Sequence, residues 1–169
     1  QGILERKGQV ILYGPPGTGK TYWALATAQE LAARSVFGRE LGALGIEERS
    51  QLLDAVTGYV RLCTFHPAYG YEDFLEGYRP EVVDGQMQFV LRAGIFKRLC
   101  QQAAADPERC YFLIVDEINR GDIPRIFGEL LTLLEADKRG KTAVVLPLSG
   151  EKFTVPPNVY VIGTMNTAD

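Results

Sequence analysis

Glycines, a lysine and a hydroxyl residue follow one another at fixed spacing in the stretch Gly14-Pro15-Pro16-Gly17-Thr18-Gly19-Lys20-Thr21. The order Gly, four residues and Gly-Lys-Thr is the pattern of a phosphate-binding P-loop. Because glycine lacks a Cβ atom, the backbone N–H groups of such a loop can approach phosphate oxygens closely. Lys20 would bind the β- and γ-phosphates, and the hydroxyl of Thr21 would ligate Mg²⁺. We therefore predict that this whole stretch binds the phosphates of a nucleotide.

Asp116 and Glu117 are a second pair of candidate chemical groups. They follow the apolar run Cys110–Val115, which is typical of a strand buried on both faces of a parallel sheet. Because such sheets bind ligands at the carboxyl ends of their strands, we expect both acids to face the same crevice as Lys20. Asp116 would hold Mg²⁺ through water, and Glu117 would activate water for attack on the γ-phosphate. The alternative is a helix N-cap, but the P-loop upstream favours the catalytic interpretation.

Asn166 is the third candidate, because it follows the β-prone run Val159–Gly163. A strand there would deliver Asn166 to the crevice, beside the γ-phosphate. A neutral amide can donate to phosphate and orient water, whereas a carboxylate would repel the phosphate. A turn residue is the alternative interpretation. With Lys20 and Glu117, Asn166 completes the set of catalytic residues that we predict from the residues themselves.

The elements that must position these groups can be followed along the chain. An apolar run at Val10–Tyr13 predicts a strand before the P-loop, and a helix is expected after it, to about Ala33. A second strand is predicted at Tyr59–Phe65 and a helix at Gly94–Ala105. The acid-tipped strand and the strand at Val159–Gly163 follow. This alternation predicts an α/β, three-layer P-loop domain with a parallel sheet.

Two hairpins and one further helix are predicted as additions to this core. Asp84-Gly85 separates two β-prone runs, which is the strongest hairpin signal in the sequence. Thr142–Leu148 and Lys152–Val155 form the second hairpin candidate. Apolar residues at helical spacing from Ile123 to Leu134 predict a helix that packs on the sheet.

Composition limits the classes of protein that fit. The chain has 169 residues, of which 46% are hydrophobic and 23% charged, as in a single globular domain. Its net charge of −3 argues against a broadly basic nucleic-acid surface, with a local basic patch on loops as the open alternative. Cys63, Cys100 and Cys110 lack metal-ligand spacing, which favours reduced thiols in a cytoplasmic protein. The run Cys110–Val115 is too short to span a bilayer, so no membrane partner is expected.

The assembled motifs resemble the AAA+ superfamily, with Walker A, Walker B and an Asn-type sensor 1 in their usual order. Four stretches make the resemblance sharper, and they resemble the McrB family, the motor subunit of modification-dependent restriction systems. They are Thr64–Phe74, Asp116–Gly121, Phe127–Leu130 and Met165–Asp169. The stretch Met165–Asp169 is the most specific of the four.

This resemblance implies a hexameric motor domain that hydrolyses GTP with Mg²⁺ and acts on DNA together with a partner nuclease of the McrC type. DNA would be contacted through segments outside this chain. By the same resemblance, Asp169 joins Glu117 and Asn166 in positioning the hydrolytic water. Arg120 is a candidate for contact with a neighbouring subunit, with an ordinary surface arginine as the alternative.

The resemblance also implies parts that this sequence lacks. Residues 1–169 are interpreted as an AAA+ nucleotide-binding core that stops before the fifth strand, the arginine-finger segment and the helical lid. A complete AAA+ sheet has the strand order 5-1-4-3-2. We therefore expect the order 1-4-3-2, with the strand Val10–Tyr13 at an edge.

Two other functions stay open. An ATP-dependent MoxR-like remodelling ATPase would share the P-loop and the hairpins, although the stretch Met165–Asp169 argues against it. A nucleotide-gated assembly scaffold that does not hydrolyse nucleotide is the second alternative, but a pure switch has no need of the acid Glu117. No motif in the sequence identifies the base, so GTP rather than ATP rests on the resemblance alone.

Overall fold

The computed structural model describes residues 2–167, in which helices and strands alternate. The strands are, in chain order, β1 (Gln9–Gly14), β2 (Val60–Thr64), β3 (Glu76–Val83), β4 (Gln86–Ala93), β5 (Tyr111–Asp116), β6 (Val144–Val145), β7 (Lys152–Phe153) and β8 (Val159–Asn166). The α-helices are α1 (Gly2–Lys7), α2 (Lys20–Phe37), α3 (Ile46–Leu53), α4 (Tyr71–Phe74), α5 (Ile95–Ala105) and α6 (Ile123–Phe127). Short 3-10 segments span Leu41–Ala43, Ile118–Arg120 and Gly128–Leu134.

Four strands form the central sheet in the order β1-β8-β5-β2, and every neighbouring pair is parallel. Since β8 is the fourth of these strands along the chain and β5 the third, the predicted order 1-4-3-2 is confirmed. The register pairs Gly14 with Asn166 and Val115 with Gly163. The carboxyl ends of β1, β5 and β8 therefore meet at one edge of the sheet.

The sheet is covered on both faces, which confirms the three layers. Successive side chains of a strand point to opposite faces. On β5, Phe112 and Ile114 face one core, and Leu113 and Val115 face the other. The first of these cores also holds the fully buried alanines of α2, whose small side chains let that helix lie close to the sheet. They are Ala24, Ala28, Ala32 and Ala33.

Both predicted hairpins are present. β3 and β4 pair in antiparallel register and are joined by Asp84 and Gly85, whose φ angles are 52° and 76°. Positive φ at both central residues is the geometry of the type I′ turn that an Asp-Gly pair favours. The second hairpin, β6–β7, is shorter than predicted and pairs only Val144–Val145 with Lys152–Phe153.

The predicted helix from Ile123 to Leu134 is wrong in one respect, because it is interrupted at Gly128. That residue has φ 51° and ψ −129°, a conformation that is essentially restricted to glycine. A Cβ atom there would lie 3.3 Å from the ring of Tyr71, so the glycine also lets that ring approach. Beyond it the chain continues as a 3-10 segment that still buries Leu130 and Leu133. Apolar spacing thus predicted the buried face correctly but not the break.

Within residues 2–167, none of the helices combines the length and the apolar character needed to cross a bilayer. Cys63, Cys100 and Cys110 are free thiols. Cys63 and Cys100 are buried, as predicted, whereas Cys110 is only partly buried. Burial raises the pKa of the Cys63 thiol to about 12, so this thiol stays protonated near neutral pH.

Candidate active site

The P-loop connects the end of β1 to the first turn of α2. Gly17 and Gly19 both have φ of 76°, in the left-handed region where glycine carries no steric penalty. α2 begins at Lys20 and runs for 18 residues, so the positive end of its dipole lies at the loop. Loop N–H groups and a helix N-terminus together form an anion site.

The side chain of Lys20 lies within this loop. Its Nζ donates to the carbonyl oxygens of Gly14 at 3.0 Å and Pro15 at 2.7 Å, and it lies 3.3 Å from Thr18 Oγ1. Thr18 in turn donates its hydroxyl to Pro15 O at 2.9 Å. These neutral acceptors hold the ammonium group inside the cradle without cancelling its charge.

Thr21 and Asp116 meet across the crevice, although 95 residues separate them in the chain. The Thr21 hydroxyl donates to Asp116 Oδ1 at 2.6 Å. A hydroxyl has one proton and two lone pairs, so donation to Asp116 leaves the lone pairs of Thr21 available to a cation. Asp116 Oδ1 accepts a second hydroxyl, that of Thr164, at 2.5 Å.

The oxygen atoms of Thr21 and Asp116 are suited to hold Mg²⁺ that is bound together with a nucleotide. Within residues 2–167 there is no group of three or more His, Cys, Asp or Glu side chains that could hold a metal ion by themselves. Mg²⁺ is commonly held by one or two protein oxygens, with water and substrate phosphates completing its octahedron. The hydroxyl of Thr21 and the carboxylate of Asp116 supply oxygens of that kind.

Glu117 follows β5 in a left-handed backbone conformation, with φ 53° and ψ 46°. For a residue other than glycine this conformation costs about 1–3 kcal/mol. Its carboxylate accepts a hydrogen bond from Asn166 Nδ2 at 2.6 Å through Oε1. Arg120 Nε lies 3.2 Å from the other oxygen, Oε2, in an ion pair that lacks hydrogen-bond geometry. The strained residue thus presents its carboxylate between an amide and a guanidinium.

One crevice of about 360 Å³ is lined by groups from all these elements. A larger crevice of about 480 Å³ lies between α1, β1 and α2, but its lining is apolar apart from Gln9 and Thr27 and carries no charge to bind phosphate. The smaller one is therefore the candidate site. Its lining residues are Pro16, Gly17, Gly19, Lys20, Thr21, Tyr22, Glu117, Thr164 and Asn166.

The predicted residues Lys20, Thr21, Asp116, Glu117 and Asn166 are thus brought together at one edge of the sheet. Asp169 lies outside the described residues. The sequence reasoning missed Thr164, which is buried at the end of β8. Its signal was its position two residues before Asn166, since alternate residues of a strand share a face.

A parallel sheet with a P-loop after its first strand and acids at the tip of a central strand defines a P-loop nucleoside triphosphatase domain. Comparison with protein families agrees. Residues 47–169 match the AAA domain of the dynein-related subfamily, and residues 10–65 match the ATPase family associated with various cellular activities. The chain belongs to the dynein-related subfamily of AAA domains, and over 99% of its length it is similar to an McrB subunit.

Two restriction-enzyme components and one ATPase are among the individual proteins to which the chain is similar. The chain is 42% identical over 174 residues to the type IV methyl-directed restriction enzyme EcoKMcrB subunit of Escherichia coli K12. It is 23% identical over 194 residues to the type II restriction enzyme BsuMI component YdiS of Bacillus subtilis. It is also 27% identical over 172 residues to the peroxisomal ATPase PEX6 of Colletotrichum orbiculare.

These alignments cover 99%, 94% and 94% of this chain. They cover only 33% of the Escherichia coli subunit, 50% of YdiS and 12% of PEX6. The chain therefore corresponds to one part of each of these longer relatives.

Proposed function

We propose that this domain hydrolyses GTP with Mg²⁺ and drives DNA restriction in an assembly with a nuclease subunit of the McrC type. The observation that carries the proposal is the contact between Glu117 and Asn166 at 2.6 Å in the same crevice as Lys20 and Thr21. This arrangement sets a carboxylate and an amide opposite a phosphate cradle. Hydrolysis needs such a pair, whereas binding alone does not.

In the proposed reaction the loop N–H groups and Lys20 bind the β- and γ-phosphates and draw off negative charge. Thr21 and Asp116 would hold Mg²⁺, which would supply positive charge to offset the negative charge that develops in the transition state. Glu117 accepts a proton from water, whose oxygen forms a bond to the γ-phosphorus. The bond from that phosphorus to the bridging oxygen breaks, which yields a nucleoside diphosphate and inorganic phosphate. Asn166 orients the water.

Asp169 is proposed as a further group that positions this water, and Arg120 as a contact to a neighbouring subunit in a homo-hexamer. The ion pair between Arg120 and Glu117 places a guanidinium beside the proposed base.

The choice of DNA restriction is supported by the relatives found, whereas the choice of GTP rests on the resemblance to the McrB family noted in the sequence. A 42% identical relative is a subunit of a methyl-directed restriction enzyme, and a second relative is a component of another restriction enzyme. The net charge of −3 argues against a broad basic surface on this domain. We therefore assign DNA contact to other segments of the assembly.

An ATP-dependent remodelling function of the MoxR kind is the second candidate. The observation that favours it is the 27% identity to a peroxisomal ATPase over 94% of the chain. The phosphate cradle and the catalytic pair would serve ATP equally well, because neither contacts the base. A scaffold without turnover would not require the contact between Glu117 and Asn166.

The test is a titration of the full-length protein, with Mg²⁺, against GTP and ATP analogues that cannot be hydrolysed, followed by turnover of GTP and ATP. We expect the GTP analogue to bind at least about tenfold more tightly. Preference for ATP would replace GTP in the proposal and favour the remodelling function. Binding without turnover of either nucleotide would favour the scaffold. The variant Lys20→Ala, which lacks the cradle's charge, is the control and should lose affinity for both.

A further inference from the structure

Thr164 is a buried polar residue that the proposed reaction does not yet use. Its side chain is 2% exposed and lies in β8, two residues before Asn166. The hydroxyl donates to Asp116 Oδ1 at 2.5 Å. The Thr164 hydroxyl oxygen also accepts a hydrogen bond from the backbone N–H of Glu117 at 3.2 Å. One hydroxyl therefore contacts both acids at the tip of β5.

The direction of these bonds is determined by chemistry. A backbone N–H can only donate, and a carboxylate oxygen without a proton can only accept. The Thr164 hydroxyl must therefore accept from Glu117 and point its single proton at Asp116. It fixes the carboxylate of Asp116 and, at the same time, the peptide that carries the strained Glu117.

The contact also influences which oxygen of Asp116 can serve a metal. Within residues 2–167, the hydrogen bonds to this side chain, from Thr21 and from Thr164, both reach Oδ1. With Oδ1 engaged by two donors, Oδ2 is the oxygen left to accept a hydrogen bond from a metal-bound water. Rotation of the carboxylate would break both bonds.

We propose that Thr164 is a positioning residue that couples the metal-side acid, Asp116, to the water-activating acid, Glu117. This inference rests on the proposed nucleotide hydrolysis at the crevice and adds the residue that aligns its two acids. The hydroxyl is not needed to join the strands, because β5 and β8 already pair along their backbones from Tyr111–Val159 to Val115–Gly163. It acts on the orientation of the acids.

The test compares Thr164→Val with Thr164→Ser in the full-length protein. Valine fills the same volume without a hydroxyl, whereas serine keeps the hydroxyl. Binding of a fluorescent GTP analogue that cannot be hydrolysed is measured against Mg²⁺ concentration. We expect the Mg²⁺ concentration at half-saturation to rise about tenfold in Thr164→Val and to stay near the wild-type value in Thr164→Ser. Binding in EDTA should not change, because the loop and Lys20 are intact.

Thr154→Val is the matched control. Within the described part of the chain, the Thr154 hydroxyl is buried and has no hydrogen-bond partner. The same chemical change therefore removes no hydrogen bond, and we expect the Mg²⁺ dependence of Thr154→Val to equal that of the wild type. Thermal unfolding of each variant shows whether it is folded; if Thr164→Val is not, Thr164→Ala takes its place.

The inference is overturned if folded Thr164→Val keeps the wild-type Mg²⁺ dependence, or if Thr164→Ser is shifted as far as Thr164→Val. Failure of the proposed function gives a different result, namely a wild-type protein that turns over neither GTP nor ATP. If the wild-type protein turns over neither nucleotide, the Mg²⁺ dependence of binding of the GTP analogue still tests the role of Thr164, because binding requires no turnover.

Discussion

The crevice and a second region, the ion cluster of Lys97, Glu76 and Glu151, each contain one lysine and two acids. The two regions use these charges differently. In the cluster, Lys97 Nζ lies 2.8 Å from Glu76 Oε2 and 2.6 Å from Glu151 Oε2. Glu76 Oε1 also accepts the N–H groups of Leu148 and Ser149, at 3.1 Å and 3.0 Å. The charges of the cluster are thus satisfied by the protein itself.

In the crevice, the lysine and the acids are kept apart. The hydrogen bonds of Lys20 within residues 2–167 go to neutral oxygens. Asp116 is contacted by hydroxyls and Glu117 by an amide, in addition to its ion pair with Arg120. Charges that are paired internally stabilise the fold, whereas Lys20 and Asp116, which are held by neutral dipoles, are available to phosphate and Mg²⁺.

The largest expected effect is the loss of nucleotide turnover when Glu117 in the crevice is replaced. Under the proposed function, Glu117→Gln should lower turnover about 10²–10⁴-fold, because an amide cannot accept the proton of the attacking water. Nucleotide binding and the thermal midpoint should stay close to wild type. Steady-state phosphate release measures turnover, a titration measures nucleotide binding, and thermal unfolding gives the midpoint. Glu108→Gln, at an exposed position, is the control; turnover that survives in Glu117→Gln would remove this residue from the role of base.

The second prediction concerns the cluster. Lys97→Ala leaves Glu76, which is 1% exposed, as an unpaired buried charge. We expect the free energy of unfolding to fall by about 3–5 kcal/mol, measured by urea denaturation. Arg92→Ala breaks the exposed pair with Glu81 and should cost about 1 kcal/mol or less. Equal losses in the two variants would show that burial does not distinguish these ion pairs.

The third and smallest effect is the pH dependence of the cluster. Burial opposes ionisation of Glu76, but the bonds from Lys97 and Ser149 outweigh it and lower the pKa of this carboxyl. A lowered pKa gives stability that is present above the unfolded pKa of about 4.3 and is lost as the pH falls through the folded value. The difference in unfolding free energy between wild type and Glu76→Gln should therefore shrink below about pH 4. A difference that stays constant from pH 7 down to acid unfolding would contradict this assignment.

Much of the fold was predictable because its signals are contiguous. The P-loop stretch, the acid-tipped strand β5 and the Asp84-Gly85 turn each depend on residues that are neighbours in the chain, so local backbone preferences and apolar runs reveal them. The strand order followed from resemblance to a known family. By contrast, the apolar spacing did not predict the break at Gly128, where the chain lies against the ring of Tyr71 from another part of the sequence.

The sequence by itself determined which chemical groups the domain carries: a phosphate cradle with Lys20 and Thr21, two acids after a buried strand, and Asn166 after the last strand. Only the tertiary structure decided how they are aligned. Thr164 meets Asp116 across 48 residues of chain, and Asn166 meets Glu117 across 49. Such contacts arise when parallel strands pair in one register, and a register is determined by the packing of both sheet faces rather than by any local pattern.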